Sequence, residues 1–302
     1  MENQKIPDIT FIIVNYNTYK YTIVAIESIL RYHQDSEIIV IDNNSPAEDY
    51  KLLKSELNDY RIKIIQNKKN DGFAKANNIA MRNVRSQYVL LLNPDCELNM
   101  PLDELLNFAK ENSGIGLISC KLLNSNGTHQ PSIYKRNSLI EQFSILSGIT
   151  PLASSQDFTD YSSPRKVYAL RGAALLIKKK IFDEVGGFDT DFFMYGEEID
   201  LAIRLLKNRM TNWYFPGTTI THHQNKSGEQ FSDKTFSYRR KSMLILFKKH
   251  HSSISYYSLK YFQFLLFSLK YISIKICALF NSSEYSNKAK KYELVLFGKN
   301  DE

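Results

Sequence analysis

Through the first half of the chain the apolar residues fall in short dense runs, and each run gives way to a polar cluster. "DITFIIVNYN" ends on Asn15-Tyr16-Asn17, "EIIVIDNNSP" on Asp42-Asn43-Asn44, "RIKIIQN" leads to Asn70-Asp71-Gly72, and "QYVLLLNPD" ends on Asn93-Pro94-Asp95. Short runs rich in β-branched residues and bounded by turn formers predict strands. Between them the apolar spacing turns helical. It predicts helices over Thr18–Arg31 and Phe73–Val84, and a third entered through Ser45 as N-cap with Pro46 at the first helical position. Strands alternating with helices predict βαβ units, and so an α/β class with a mostly parallel central sheet and flanking helices. Ligands of such sheets bind beyond the carboxyl ends of the strands, and all four polar clusters fall there.

The second half is less regular. Gly116–Cys120 reads as a strand, Asn124–Pro164 is polar and Ser-rich and reads as a flap, and "VYALRGAALLIKK" reads as a single further strand. A short helix, a Gly186-Gly187 turn and a helix near Glu197–Lys207 follow. From Ile254 to Phe280 the chain is apolar and aromatic, but only nine residues between Lys260 and Lys270 are free of charge. A simple spanning helix needs about 20. On a helical wheel Lys260, Gln263, Lys270 and Lys275 share one side and Tyr, Phe, Leu and Ile fill the rest, the pattern of a helix lying in a membrane interface. A helix packed on the protein's own core is the alternative. The expected organisation is a catalytic domain over 1–235 and a basic, aromatic helical region over 236–302.

Composition changes this picture in two places. Three cysteines with no paired spacing argue against a disulfide framework and a zinc site, and Met1–Thr10 lacks a basic-then-apolar leader pattern, so a reducing cytoplasmic setting is expected. The net charge of +7 is modest, but Arg239, Arg240, Lys241, Lys248, Lys249, Lys260, Lys270 and Lys275 crowd the last quarter, which is expected to meet something anionic.

Four motifs carry candidate chemistry. Asp95, at the end of a buried strand in a turn stiffened by Pro94, is placed to hold a hard divalent cation; a plain Asn-Pro-Asp turn is the alternative. Asp42 is placed to accept hydrogen bonds from a nucleobase or ribose, or else belongs to a helix cap. In "FFMYGEEIDLAIRL" the wheel puts Glu197, Asp200, Arg204, Lys207 and Asn208 on a polar arc, with Asp200 and Arg204 reading as a surface pair. Glu198 falls instead among the apolar residues. A carboxylate turned inward at the positive end of a helix suits a general base, with an N-terminal capping contact as the alternative. In "THHQNKSG", His222 and His223 follow a strand, so only one of them is expected to face the site.

In order along the chain, "IIVNYN", "VIDNNS", "NDGFAKANN", "LLLNPD", "RGAALLI", "GGFDTDFFMYGEEIDLAIRL" and "HHQNKS" resemble the family 2 inverting glycosyltransferases, above all their rhamnosyltransferase-like members of bacterial surface polysaccharide synthesis. The resemblance covers roughly residues 8–230 and implies a GT-A type nucleotide-diphospho-sugar transferase fold with a C-terminal helical extension, Mg²⁺ or Mn²⁺, and a UDP- or dTDP-sugar donor. It places Asn15, Asn17, Asp42, Asn44, Gly72, Phe73, Asn78, Asn93 and Gly172 around the donor. Asp95 falls at the metal position, the family histidine falls best on His222 and next on His223, and Glu197-Glu198 falls at the catalytic pair with Glu198 as the base. Asn93 stands where the family often has the first aspartate of Asp-x-Asp. The implied partners are a glycan or polyprenyl-diphosphate-linked acceptor and the inner membrane surface, with no nucleic acid. A sugar-nucleotide nucleotidyltransferase and a non-catalytic sugar-nucleotide-binding protein are the alternatives. The Gln-x-x-Arg-Trp signature of processive synthases is missing from the sequence.

Overall fold

The structure is a computed structural model that describes residues 7–136, 138–149, 161–223, 232–278 and 282–297. In chain order it runs β1 (Ile9–Asn15), α1 (Tyr19–Tyr32), β2 (Glu37–Asp42), α2 (Ala47–Glu56), β3 (Ile62–Gln66), α3 (Gly72–Met81), β4 (Tyr88–Leu92) and β5 (Cys96–Leu98). Then come α4 (Asp103–Glu111), β6 (Ile115–Leu123), β7 (His129–Gln130), β8 (Ile133–Tyr134), α5 (Leu139–Ser147), β9 (Arg165–Val167), β10 (Ala169–Leu170) and β11 (Ala174–Lys178). The last elements are α6 (Lys179–Glu184), α7 (Glu197–Lys207), β12 (Thr211–His222), α8 (Ser232–His250), α9 (Ser253–Ala278) and α10 (Ser282–Phe297). The chain divides into one compact unit of Met1–Lys135, Gln156–Phe193 and Glu197–Ser227, and a second of Arg136–Ser155, Met194–Gly196 and Gly228–Glu302.

The first unit is built on a ten-stranded mixed sheet whose main path is β3-β2-β1-β4-β11-β6-β12-β5. β1, β2, β3 and β4 are parallel, as the alternating pattern predicts, and their register sets Asn15 beside Asp42 and Asp42 beside Gln66. The polar ends of these strands therefore share one edge. β11 runs antiparallel between β4 and β6, and β5 runs antiparallel to β12. Phe11, Ile12, Ile13, Ile38, Ile39, Val40 and Leu91 are fully buried. Each such side chain contributes roughly 1.5–3 kcal/mol by leaving water, so the sheet is a stiff platform for the loops at its edge.

Several expectations are corrected. The α2 N-cap is Pro46, with no side-chain cap; the Ser45 hydroxyl is used elsewhere, accepting from Asn15 Nδ2 at 3.0 Å and from Asn17 N at 2.9 Å. The stretch expected as a flap holds β7, β8 and α5 among its described residues. "VYALRGAALLIKK" is broken by the turn around Arg171 and Gly172, so β10 and β11 are separate strands. Asp200 and Arg204 are not a surface pair. Asp200 is fully buried, and Arg204 bonds it at 2.7 Å while donating to the carbonyls of Val185 and Gly187, both at 2.7 Å. Asp200 is buried and Arg204 half-buried because the pair pins the Gly186-Gly187 turn, where both residues have positive φ.

The second unit contains α5, α8, α9 and α10, packed around Leu146, Phe247, Leu259 and Phe267. α5 starts at an N-cap, Ser138, whose hydroxyl accepts from Glu141 N, and stops at left-handed Gly148. α9 turns Gln263 inward, 3% exposed, and Lys270 donates to the Leu146 carbonyl at 3.2 Å. Leu259 and Phe267 share that inner side, while a second apolar set faces out: Ile254, Tyr261, Phe264, Leu265, Leu269, Ile272 and Ile276 are each more than half exposed. The expected polar side is divided: Gln263 is covered together with apolar Leu259 and Phe267, whereas Lys260 and Lys275 are exposed.

Candidate active site

The end of β4 is closed by a turn in which Cys96 N donates to Asn93 O at 3.1 Å, while Asn93 N donates to Ala173 O at 2.9 Å. Pro94 keeps the turn rigid and Asp95 emerges from it 2% exposed. Antiparallel pairing of β12 with β5 sets His222 opposite Cys96 and so beside Asp95. His222 Nε2 lies 3.3 Å from Asp95 Oδ1, a buried oxygen with no hydrogen-bond partner.

The proton inventory of this pair follows from Gln130. Its Nε2 donates to His222 O at 3.0 Å and to Asn124 Oδ1 at 2.9 Å, which fixes the amide orientation and leaves its Oε1 2.7 Å from His222 Nδ1. Nδ1 therefore carries the proton, and Nε2 presents a lone pair to the carboxylate. Two acceptors facing each other across a buried gap need a positive charge between them: a proton, or a divalent cation held by oxygen and imidazole nitrogen. The donor set fits a metal. Cys96, whose sulfur falls in the same cluster, is not part of that set. Burial and then the Asp95 charge push its thiol well above the usual range, so it stays protonated and points to the Ala173 carbonyl at 3.4 Å.

Glu197 and Glu198 open α7 at 5% and 6% exposure. A Cβ added at Gly172 would meet Glu198 Cβ, Cγ and Cδ at 3.7–3.8 Å, so the glycine leaves the flank of the Glu198 side chain open. Ala173, the next residue, accepts the Asn93 bond described above. Through Gly172-Ala173 the turn bearing Asp95 and the first turn of α7 are thus built onto one short piece of chain.

The residues expected around a donor separate into three groups. Asn15 and Asp42 are fully buried. Asn15 Nδ2 bonds Asp42 Oδ1, Ser45 Oγ and Asp49 Oδ2 at 2.9–3.0 Å, and its Oδ1 accepts from Thr18 and Thr22 at 3.0 and 2.9 Å. This amide braces the loops. Asn78 is likewise engaged by both ends with the Phe188 backbone, at 2.7 and 3.0 Å. Gly72 is required for close approach: its φ is +77° and a Cβ would sit 2.2 Å from Phe193 O, the same carbonyl that accepts from Phe73 N. Asn17 and Asn44 hold left-handed backbone at the strand-end loops, Asn44 exposed, while Phe73, Asn93 and Gly172 are part-exposed. Asn93 Nδ2 lies 3.5 Å from His222 Nε2. Of the two histidines only His222 faces Asp95; His223 turns to Glu97 at 3.5 Å and Ser125 at 2.8 Å.

Two residues of the site went unpredicted. Asn43 ties the loops together, bonding Asn70 at 2.8 Å and accepting from Asn67 at 2.9 Å and from Asp71 N at 3.1 Å. Gln130 lies in the polar stretch whose two-residue strands carry no readable period.

Known proteins share this sequence pattern and this fold. The chain is 30% identical over 173 residues to an N-acetylglucosaminyl-diphospho-decaprenol L-rhamnosyltransferase of Mycobacterium tuberculosis, covering 55% of this chain and 56% of that protein. It therefore spans about half the length of that relative. Rhamnosyltransferase WbbL of Escherichia coli is 27% identical over 245 residues, covering 76% of this chain and 89% of WbbL. The solved structure of GalNAc-T7 with UDP, GalNAc and Mn²⁺ superposes with a TM-score of 0.59 at 17% identity, over 81% of this chain and 48% of that one, which shows the shared GT-A-like fold. The sequence model described as Glycosyl transferase family 2 matches residues 10–195, well over half of the chain. The chain belongs to glycosyl transferase family 2.

Proposed function

We propose that this protein transfers a sugar, rhamnose or a similar hexose, from a UDP- or dTDP-sugar to a hydroxyl of a glycan or polyprenyl-diphosphate-linked acceptor in surface polysaccharide synthesis. The observation that carries the reading is the buried pair of facing acceptors, Asp95 Oδ1 and His222 Nε2. Asp95 and His222 would hold Mg²⁺ or Mn²⁺, and the nitrogen ligand favours Mn²⁺. When bound, such a cation supplies positive charge that neutralises a departing nucleoside diphosphate. Gln130 keeps the His222 lone pair aimed at that position, and Asn93 takes the place of a second carboxylate.

In this reading Glu198 accepts the proton of the acceptor hydroxyl as that oxygen attacks the anomeric carbon from the face opposite the leaving group, and a single displacement inverts the centre. The positive end of α7 stabilises the Glu198 charge before the proton arrives. Glu198→Gln should lower turnover by about 10²–10⁴-fold with donor binding unchanged, and retained turnover of the purified variant would refute the base assignment. A nucleotidyltransferase would release pyrophosphate, whereas this reaction releases the nucleoside diphosphate.

The region from 236 onward would seat the enzyme on the cytoplasmic face of the membrane. By length and composition α9 is apolar enough to cross a membrane, but Leu259, Gln263 and Phe267 are buried along its inner side. That burial supports a helix lying flat, with its exposed apolar stripe of about 33 Å in the lipid. Leu265→Glu with Ile272→Glu should abolish flotation with vesicles; undiminished flotation would defeat the anchor.

A further inference from the structure

The second unit concentrates positive charge that sugar transfer does not use. Arg240 of α8 is only 8% exposed, and its Nε is buried with no hydrogen-bond partner. Its guanidinium carbon lies 5.5 Å from the centre of the Phe236 ring. The Lys291 ammonium of α10 sits 5.7 Å from the centre of that same ring and 5.1 Å from Tyr292. Phe236, Phe267 and Tyr292 pack ring against ring at 5.5, 5.5 and 5.9 Å, so both cations are gathered against one aromatic cluster. Lys270 of α9 gives one bond to the Leu146 carbonyl, which leaves two of its ammonium hydrogens for another acceptor.

Among the described residues, the charged groups that act on Arg240 and Lys270 are cations. Burial and then Arg239 bring Arg240 down to about 10, and burial, Lys291 and Arg240 in that order push Lys270 below the usual lysine range. Glu293 is turned to Tyr271 at 2.8 Å and Lys275 at 3.4 Å. Cation–π contacts offset part of the cost of burying a guanidinium, but an uncompensated buried charge destabilises a fold. An oxyanion with several acceptor oxygens supplies what is missing, and a guanidinium and an ammonium gathered on one aromatic ring, with a second ammonium within electrostatic reach, match a phosphate.

We propose that Arg240, Lys270 and Lys291 form a binding site for a phosphate or diphosphate group. The group could arrive on a lipid headgroup or free in solution; the apolar stripe of α9 in the same unit favours the headgroup. The site stands whether or not the chain transfers sugar.

The test uses the full chain with EDTA present, so that metal-dependent binding does not contribute. Inorganic pyrophosphate is titrated by calorimetry, and flotation is measured on phosphatidylcholine vesicles with and without phosphatidic acid. Arg240→Met and Lys291→Met should each weaken pyrophosphate binding or phosphatidate-dependent flotation by about tenfold or more. Without either ligand, Arg240→Met should melt at a higher temperature than the parent chain, because an unmatched buried charge is gone. Should Arg240→Met fail to fold, Lys270→Met carries the same measurement. Phosphatidate dependence lost in the variants assigns a lipid headgroup, and pyrophosphate binding without it assigns a soluble phosphate; either upholds the site. Absence of both in the parent chain, or binding indifferent to the substitutions, overturns it.

Discussion

Two polar clusters sit at the carboxyl edge of the same sheet and differ in one respect. Around Asn15, every amide hydrogen and both carbonyl lone pairs meet a protein partner within 3.0 Å, and Asp42 and Asp49 are drawn into the same net. Around Asp95, a carboxylate oxygen equally buried has no donor and faces an imidazole lone pair. Both look alike in the sequence: an apolar run, then Asn and Asp. Saturation separates them, because a completed network braces the backbone, whereas an incomplete one leaves room for a ligand to complete it.

Substitutions should pull the two clusters apart. The largest stability effect belongs to the closed one. Asn15→Ala strands several buried groups and should cost about 3 kcal/mol in urea unfolding, while Mn²⁺ affinity of the folded protein stays within about twofold. Gln130→Leu comes next: it removes the partner that holds His222 in its tautomer, and Mn²⁺ affinity should fall about 10–100-fold with little change of fold. The smallest shift in stability, and of opposite sign, is expected at the open cluster. Asp95→Asn brings an amide donor to His222 Nε2, so stability should hold or rise by up to about 1 kcal/mol although activity is lost.

The sequence made the parallel strands legible because their buried runs are dense and their ends polar, but the α7 wheel set Glu198 apart from Glu197 and Asp200, and the fold buries all three. It could not show that Asp200 and Arg204 are covered, since an i,i+4 pair has the same spacing on a surface as under a turn. It placed Asn15 and Asn78 by resemblance near a donor, but only coordinates reveal that their amides are already committed. Strand alternation alone left His222 and His223 open, the resemblance put His222 first, and the β12–β5 register sets His222 beside Asp95. For α9 the side covered by α5, α8 and α10 cuts across the polar and apolar sides of the wheel, burying Gln263 with Leu259 and Phe267, because it depends on partners distant in the chain.

The claim beneath all of this is that Asp95 and His222 are a cation site. Calorimetric titration of Mn²⁺ into the parent chain and into Asp95→Asn tests it directly. The account predicts that the substitution weakens binding by at least about tenfold in a protein as stable as the parent. Equal Mn²⁺ affinity in the two proteins would contradict it.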